Sequence, residues 1–156
     1  MHIKEKIPLI FGVPEHSFYN GLKAKKVFVA ELRPGLEGAR AVAAELLKRG
    51  IRPVIVCDNM MAFCMKRGLV KNVHIFYNAL KKDAGLCRTG SFVAALCASW
   101  HKVPVYLHRA AYVPKRPASL LKIDGVNVTA QNLKTYVPIF EEVPLRLTRS
   151  RESKIA

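Results

Sequence analysis

The 156-residue chain is short of acid: 11 Asp and Glu stand against 26 Lys and Arg, a formal net charge of +15 at pH 7. Such an excess attracts anionic partners over long range and says nothing about the fold. The chain also lacks any apolar run near the ~20 residues that a membrane-spanning helix requires, so no membrane partner is expected. Lys4 and Lys6 are not followed by the apolar stretch and small-residue cleavage site of a secretory signal, and a cytoplasmic protein is expected. The cysteines Cys57, Cys64, Cys87 and Cys97 show no CxxC spacing, and His74, His101 and His108 have no paired spacing with them. A zinc site has no support and no cofactor is called for. Three of these cysteines lie in apolar surroundings and read as reduced core thiols. Cys87 differs, because it directly precedes Arg88 at an expected helix start, a setting that lowers a thiol pKa. An RNA-recognition motif and a basic-aromatic platform are also missing, so contact with RNA is implied by charge alone.

What is present is enough apolar residue, 51%, for the packed core of one domain, which excludes a disordered chain. Apolar runs at Ile7–Phe11, Val27–Ala30, Val54–Cys57, Val73–Tyr77 and Val103–Leu107 read as strands, several continuous rather than alternating. Continuous runs imply burial on both faces. Leu36, Ala39, Val42, Ala43, Leu46 and Leu47 recur at helical spacing, and Gly50 closes that helix. A second helix is expected after Asp58 and a third from about Gly90 to Trp100. Alternating strands and helices predict an α/β fold with a mostly parallel sheet and right-handed crossovers. Beyond His108, Pro114 to Pro117 reads as a loop, Lys122–Thr129 as a hairpin around Asp124-Gly125, and Arg146 to Lys154 as a frayed or partner-bound tail.

Ligands of such sheets bind at the carboxyl ends of the strands. One unit stands out there: the run Lys26–Ala30 leads into Glu31-Leu32-Arg33-Pro34-Gly35-Leu36-Glu37-Gly38-Ala39-Arg40 and then a helix. Arg33 has two readings, a phosphate ligand or a turn-fixing residue bonded to carbonyls, while Arg40 reads as packing its stem over apolar surface. Asp58-Asn59 follows a strand and opens a helix, so its plain role is a cap on free amides.

Glu31-Leu32-Arg33-Pro-x-x-Glu37-Gly-Ala-Arg resembles the Glu-Thr-Arg-Pro-x-x-Gln-Gly-Ala-Arg segment of the methylthioribose-1-phosphate isomerases, ribose-1,5-bisphosphate isomerases and the alpha, beta and delta subunits of translation initiation factor 2B. Further matches follow in order. Val54 to Ala62 is similar to the family's next strand and turn, Arg88-Thr89-Gly90-Ser91-Phe92 resembles Lys-Ile-Gly-Thr-Tyr, and Ile123 to Val126, Tyr136 to Phe140 and Val143-Pro144 resemble the closing segment. The resemblance implies a Rossmann-like three-layer domain over residues 25–148, with an N-terminal segment at 1–24 and a basic tail at 149–156. It implies a sugar-phosphate pocket touched by Arg33, Glu37, Asp58, Asn59, Asn78 and Arg88, and association into a homo-oligomer.

Three departures from the family pattern bear on chemistry. Glu37 replaces a glutamine, and a carboxylate repels phosphate. Asn78 falls where the isomerases have their proton-transferring aspartate, and an amide does not titrate near neutrality. The catalytic cysteine belongs to the strand before Glu31, where Phe11-Gly12-Val13-Pro14-Glu15-His16 holds none. The expectation is a domain that binds a phosphorylated sugar or nucleotide without isomerising it. Two alternatives stay open: an aldose-ketose isomerase of diverged mechanism, using Cys87, Asp83 or Glu37, and a subunit acting through protein or RNA contacts.

Overall fold

The computed structural model describes residues 5–111, 118–123, 125–128 and 133–149. The apolar runs become strands: β1 (Ile7–Phe11), β2 (Lys26–Ala30), β3 (Arg52–Val56), β4 (Val70–Leu80) and β6 (Val105–Arg109). All pair in parallel, in the order β3-β2-β1-β4, with β6 also on β4. Two antiparallel strands extend the sheet. β5 (Ala84–Arg88) folds back on the end of β4, and β9 (Phe140–Pro144) lies against β5. The mostly parallel sheet is as expected, and β5, which is not among the expected strands, is its main addition.

Helices cover both faces, giving three layers. On one side α3 (Met61–Lys66) and α4 (Ser91–Trp100) pack Met61, Met65, Ala94 and Ala98 against Leu9, Phe11, Phe28 and Ile75. On the other, α1 (His16–Asn20) and α2 (Ala43–Lys48) pack Tyr19 and Leu46 against Ile10, Val27, Val29 and Phe76. β1 and β2 are therefore apolar on both faces, and each fully buried Leu, Val or Phe contributes roughly 1.5–3 kcal/mol of transfer free energy. β3 lies at the sheet edge, and Ile55 there is 43% exposed despite its continuous apolar run. The expected helix from Leu36 starts later, as a π-helical turn, Gly38–Val42, that runs into α2.

α4 carries no charged residue along its length, and its outward side exposes Val93, Leu96 and, at 84%, Trp100. Phe63 of the neighbouring α3 is exposed as well. A helix apolar all round normally has cover on every side.

The predicted hairpin forms as β7 (Lys122–Ile123) and β8 (Val126–Asn127), with its expected members Asp124 and Thr129 outside the described residues. The expected loop at Pro114 to Pro117 also lies outside them. The start of the expected frayed tail is docked instead: Leu145–Leu147 forms a 3-10 turn, and the Arg149 amide donates to the Val105 carbonyl at 2.7 Å. Residues 150–156 of that tail are outside the description.

Candidate functional site

Parallel strands place their carboxyl ends on one edge of the sheet, and the loops after β2 and β3 touch there. The loop after β2 is the most constrained. Leu32 and Leu36 both have left-handed backbones, at φ 61° and 59°, a conformation that costs a non-glycine residue roughly 1–2 kcal/mol. What holds it is a set of specific contacts. The Asp58 carboxylate accepts from the Leu32 amide at 2.9 Å and the Arg33 amide at 2.7 Å, and the Leu32 side chain is buried in the core. Strain of this kind concentrates at ligand sites, where the surrounding structure over-determines it.

Asp58 thus satisfies free amides, as a cap would, but on the loop after β2 rather than on the helix that it opens. The 3-10 turn Asp58–Met60 has no side-chain cap at all. That corrects the local capping role. Asn59, beside it, is exposed.

Arg88, at the end of β5, reaches the same loop. Its Nη1 donates to Glu37 Oε1 at 3.1 Å and its Nη2 to Glu37 Oε2 at 2.9 Å, a bidentate pair, with a longer contact of 3.5 Å to the Leu32 carbonyl. The two side chains are only 12% and 29% exposed. Arg88 therefore reaches the loop that carries Arg33, and it arrives with a counter-ion, Glu37. Arg33 Nη1 is buried and has no hydrogen-bond partner, and the buried hydroxyls of Thr89 and Ser91, which follow Arg88, are also unpaired.

The start of α4 shows what sequence reasoning missed. Glu141, from β9, accepts from the Gly90 amide at 2.7 Å and the Phe92 amide at 2.8 Å. A helix start offers unpaired amides and a favourable dipole to an anion, and here a side chain of the chain itself takes that place. The only signal in the sequence was indirect: glycine precedes α4 and supplies no side-chain cap, so an acceptor had to come from elsewhere. Gly90 is required for a second reason, since at φ +101° any Cβ would lie 2.4 Å from the tip of the Phe11 ring.

The remaining expectations divide. Cys87 sits on β5, fully buried, where desolvation first and the Glu141 charge second push its thiol pKa up to about 12. This overturns the expected low-pKa thiol, because burial outweighs the nearby arginine when Glu37 already holds that arginine. Cys64 is buried and its thiol shifts upward too, while Cys57, at the end of β3, is exposed instead of being a core thiol. Asn78 is exposed, at the irregularity between the Tyr77–Cys87 and Ala79–Leu86 pairings of β4 with β5. Asp83 is exposed on the turn between those strands, beyond the end of β4 at Leu80. Arg40 is exposed, and it lines a groove of about 180 Å³ with Pro34, Leu36, Ser119 and Lys122. Among the described residues no group of His, Cys, Asp and Glu could hold a metal ion.

Comparison with known proteins agrees with this fold. The model of the initiation factor 2 subunit family matches residues 10–149. The methylthioribose-1-phosphate isomerase of Chloroflexus aurantiacus is 32% identical over 136 residues, covering 78% of this chain and 39% of that protein. That of Carboxydothermus hydrogenoformans is 30% identical over 151 residues, covering 86% and 43%. The chain thus spans about two fifths of the length of these relatives. Among solved structures, the delta subunit of translation initiation factor eIF-2B from A. fulgidus superposes with a TM-score of 0.76 at 20% identity, covering 95% of this chain and 51% of that one. The 5-methylthioribose 1-phosphate isomerase of Pyrococcus horikoshii gives 0.76 at 19% identity, covering 92% and 49%. On sequence and fold together, the chain belongs to the initiation factor 2 subunit family.

Proposed function

We propose that this chain binds a small phosphorylated ligand, a sugar phosphate or nucleotide, at the carboxyl edge of its sheet, and that it does not isomerise it. The observation that carries this reading is Arg33: a guanidinium nitrogen buried without a partner, on a strained loop that also receives Arg88. A buried donor left unpaired costs roughly 1–3 kcal/mol, and an anion that accepts from it recovers that cost. The names of the relatives support a sugar 1-phosphate as the general class of ligand.

The test is a melting-temperature screen of the purified protein against sugar phosphates and nucleotides, since a ligand at 100 times its dissociation constant adds about 2.7 kcal/mol to stability. Arg33→Ala should then weaken the best ligand about tenfold or more, because a charge-assisted hydrogen bond is worth ~1.5–3 kcal/mol. The same substitution should leave the melting temperature of the free protein unchanged or higher, since Nη1 gives up no bond. Equal affinity in wild type and Arg33→Ala removes Arg33 from the site.

The exposed Val93, Leu96, Trp100 and Phe63 favour a second element of the reading, self-association over the α3–α4 face. Apolar patches on soluble monomers seldom exceed a few hundred Å². Light scattering at micromolar concentration should report a dimer or larger, and Trp100→Glu should shift it toward monomer. A clean monomer in the wild type refutes the association.

A further inference from the structure

Among the described residues, acids and bases gather at opposite edges of the sheet. The carboxyl edge carries Glu15 after β1, Glu31 and Glu37 after β2, Asp58 after β3 and Glu141 at the start of α4. The amino edge is basic. The parallel strands start level with one another there: Lys26 pairs with Arg52, Ile7 with Val70, and the Val73 amide donates to the Pro104 carbonyl at 2.9 Å. In the order β3, β2, β1, β4, β6, these starts bring together Arg52, Lys25, Lys6, Lys71 and Lys102, all of them exposed. Neighbouring strands lie about 4.8 Å apart, so the five cations form a row about 20 Å long with steps of about 5 Å. Two acids reach this end, Glu5 at 3.7 Å from Lys26, and Glu45, which holds Lys48 and Arg49 at the end of α2. Both engage cations outside the row. Helix ends explain part of the excess, since Lys48 and Lys66 sit in the last turns of α2 and α3, where the dipole favours a cation. That reason does not reach Lys6, Lys25, Arg52 or Lys71, which stand beside strand starts, and a sheet has little net dipole. Like charges in a row repel one another and oppose the compact state, and an anion laid along them offsets that cost.

We infer that the amino edge of the sheet is a docking surface for the phosphate backbone of a single-stranded nucleic acid, laid across the starts of β3, β2, β1, β4 and β6. A row one cation wide matches a linear polyanion whose charges recur every few ångströms along one strand. A duplex presents two backbones on either side of a groove, and an anionic membrane presents a plane, which a single row meets along one line. Contacts of this kind fix the position of a backbone and carry no sequence information, which agrees with a surface made of lysine and arginine. The surface lies at the edge opposite Arg33, so it stands or falls independently of the small-ligand reading.

The experiment follows the fluorescence anisotropy of a labelled oligouridine of about 12 nucleotides, within the usual span of a single-strand site, as protein is added over a series of salt concentrations. Three proteins are compared. The double variant Lys25→Glu, Lys71→Glu reverses two cations of the row, and Lys82→Glu, Arg109→Glu reverses two exposed cations at the other end of the sheet, on the turn after β4 and the last residue of β6. Both change the net charge equally, and melting temperatures check that both are folded. The milder pair Lys25→Gln, Lys71→Gln repeats the comparison if the reversal does not fold. Wild-type affinity should fall with salt on a logarithmic slope of about −3.5, since each of five contacts to a single strand contributes about −0.7. The row variant should bind about tenfold more weakly or worse at low salt and lose about 1.4 of that slope, while the other variant stays within about threefold of wild type. Equal losses in the two charge-matched variants attribute binding to net charge and overturn the edge as its site. Absence of binding by wild type at tens of micromolar in low salt overturns the proposal outright. Displacement of the oligonucleotide by an equal charge concentration of poly-glutamate, or by vesicles rich in phosphatidylserine, assigns the row to an acidic protein or a membrane and overturns the nucleic-acid class.

Discussion

Gly38→Ala should be the most damaging single-methyl change in the described part of the chain. A Cβ built on Gly38 lies 1.8 Å from the carbonyl oxygen of Ala30 and 3.1 Å from Cγ of the buried Leu32. The first obstacle is backbone, at the end of a strand that is itself 0% exposed at Ala30, so no rotamer change relieves it. The helical turn would have to lift from β2, taking Val42 and Leu46 out of the second core cluster. Overpacking normally costs ~1–3 kcal/mol and this case belongs at or above the upper end, against a total stability of about 5–15 kcal/mol. At roughly 2–4 °C per kcal/mol for a chain of this size, the melting temperature should fall by about 10 °C or the protein should not accumulate folded. Gly50→Ala is the control. Its φ is +70°, with nothing within 4 Å of the added methyl, so only the ~1–2 kcal/mol of a left-handed alanine is expected. Equal losses in the two variants would mean that the close approach of Gly38 to Ala30 is not a determinant of the fold.

The same contrast shows what the sequence disclosed. Central strands were legible because β1 and β2 are buried on both faces and so read as unbroken apolar runs. β5 was not, since Ala-Gly-Leu-Cys-Arg is short of β-branched residues and its stability comes from pairing with β4 and β9, the latter more than fifty positions away in sequence. The edge that carries the candidate site is legible from topology, because loops after parallel strands share an edge. Its charge state is not. Arg88 and Glu37 are 51 residues apart, as are Gly90 and Glu141, and no local pattern announces either pair. Asp58 reads in the sequence as an acceptor for the free amides of its own helix, yet the amides it takes are those of Leu32 and Arg33, since a carboxylate beside a helix start is equally close to the neighbouring strand's loop. Cys87 departs from its local pattern for the same reason: burial and a distant glutamate outweigh the neighbouring arginine.

Purified protein should show no turnover of methylthioribose 1-phosphate, with a rate at least ~10³-fold below the ~10 per second of an ordinary enzyme. Moving a proton between adjacent sugar carbons needs an acid and a base within hydrogen-bond reach of them, each worth typically 10²–10⁴ in rate. The carboxyl end of β1, in the middle of the sheet, supplies Phe11-Gly12-Val13 and no thiol. β4 supplies the amide of Asn78. Cys87 has a thiol pKa of about 12 and is 0% exposed, so it is neither ionised nor reachable at neutral pH. Glu37 is held by Arg88 and Asp58 by two amides, while Asp83 sits on an exposed turn past the end of β4. Restoring one group should not suffice: Asn78→Asp supplies a titrating carboxyl at the β4 position but no second group across the sugar, so it too should remain inactive. The assay is a coupled one, run on wild type, Asn78→Asp and Cys57→Ala, because Cys57 is the exposed thiol at the end of β3 and next to Asp58. Turnover in wild type within tenfold of an ordinary enzyme would sink the non-catalytic reading, and its loss in Cys57→Ala would identify the thiol that performs the step.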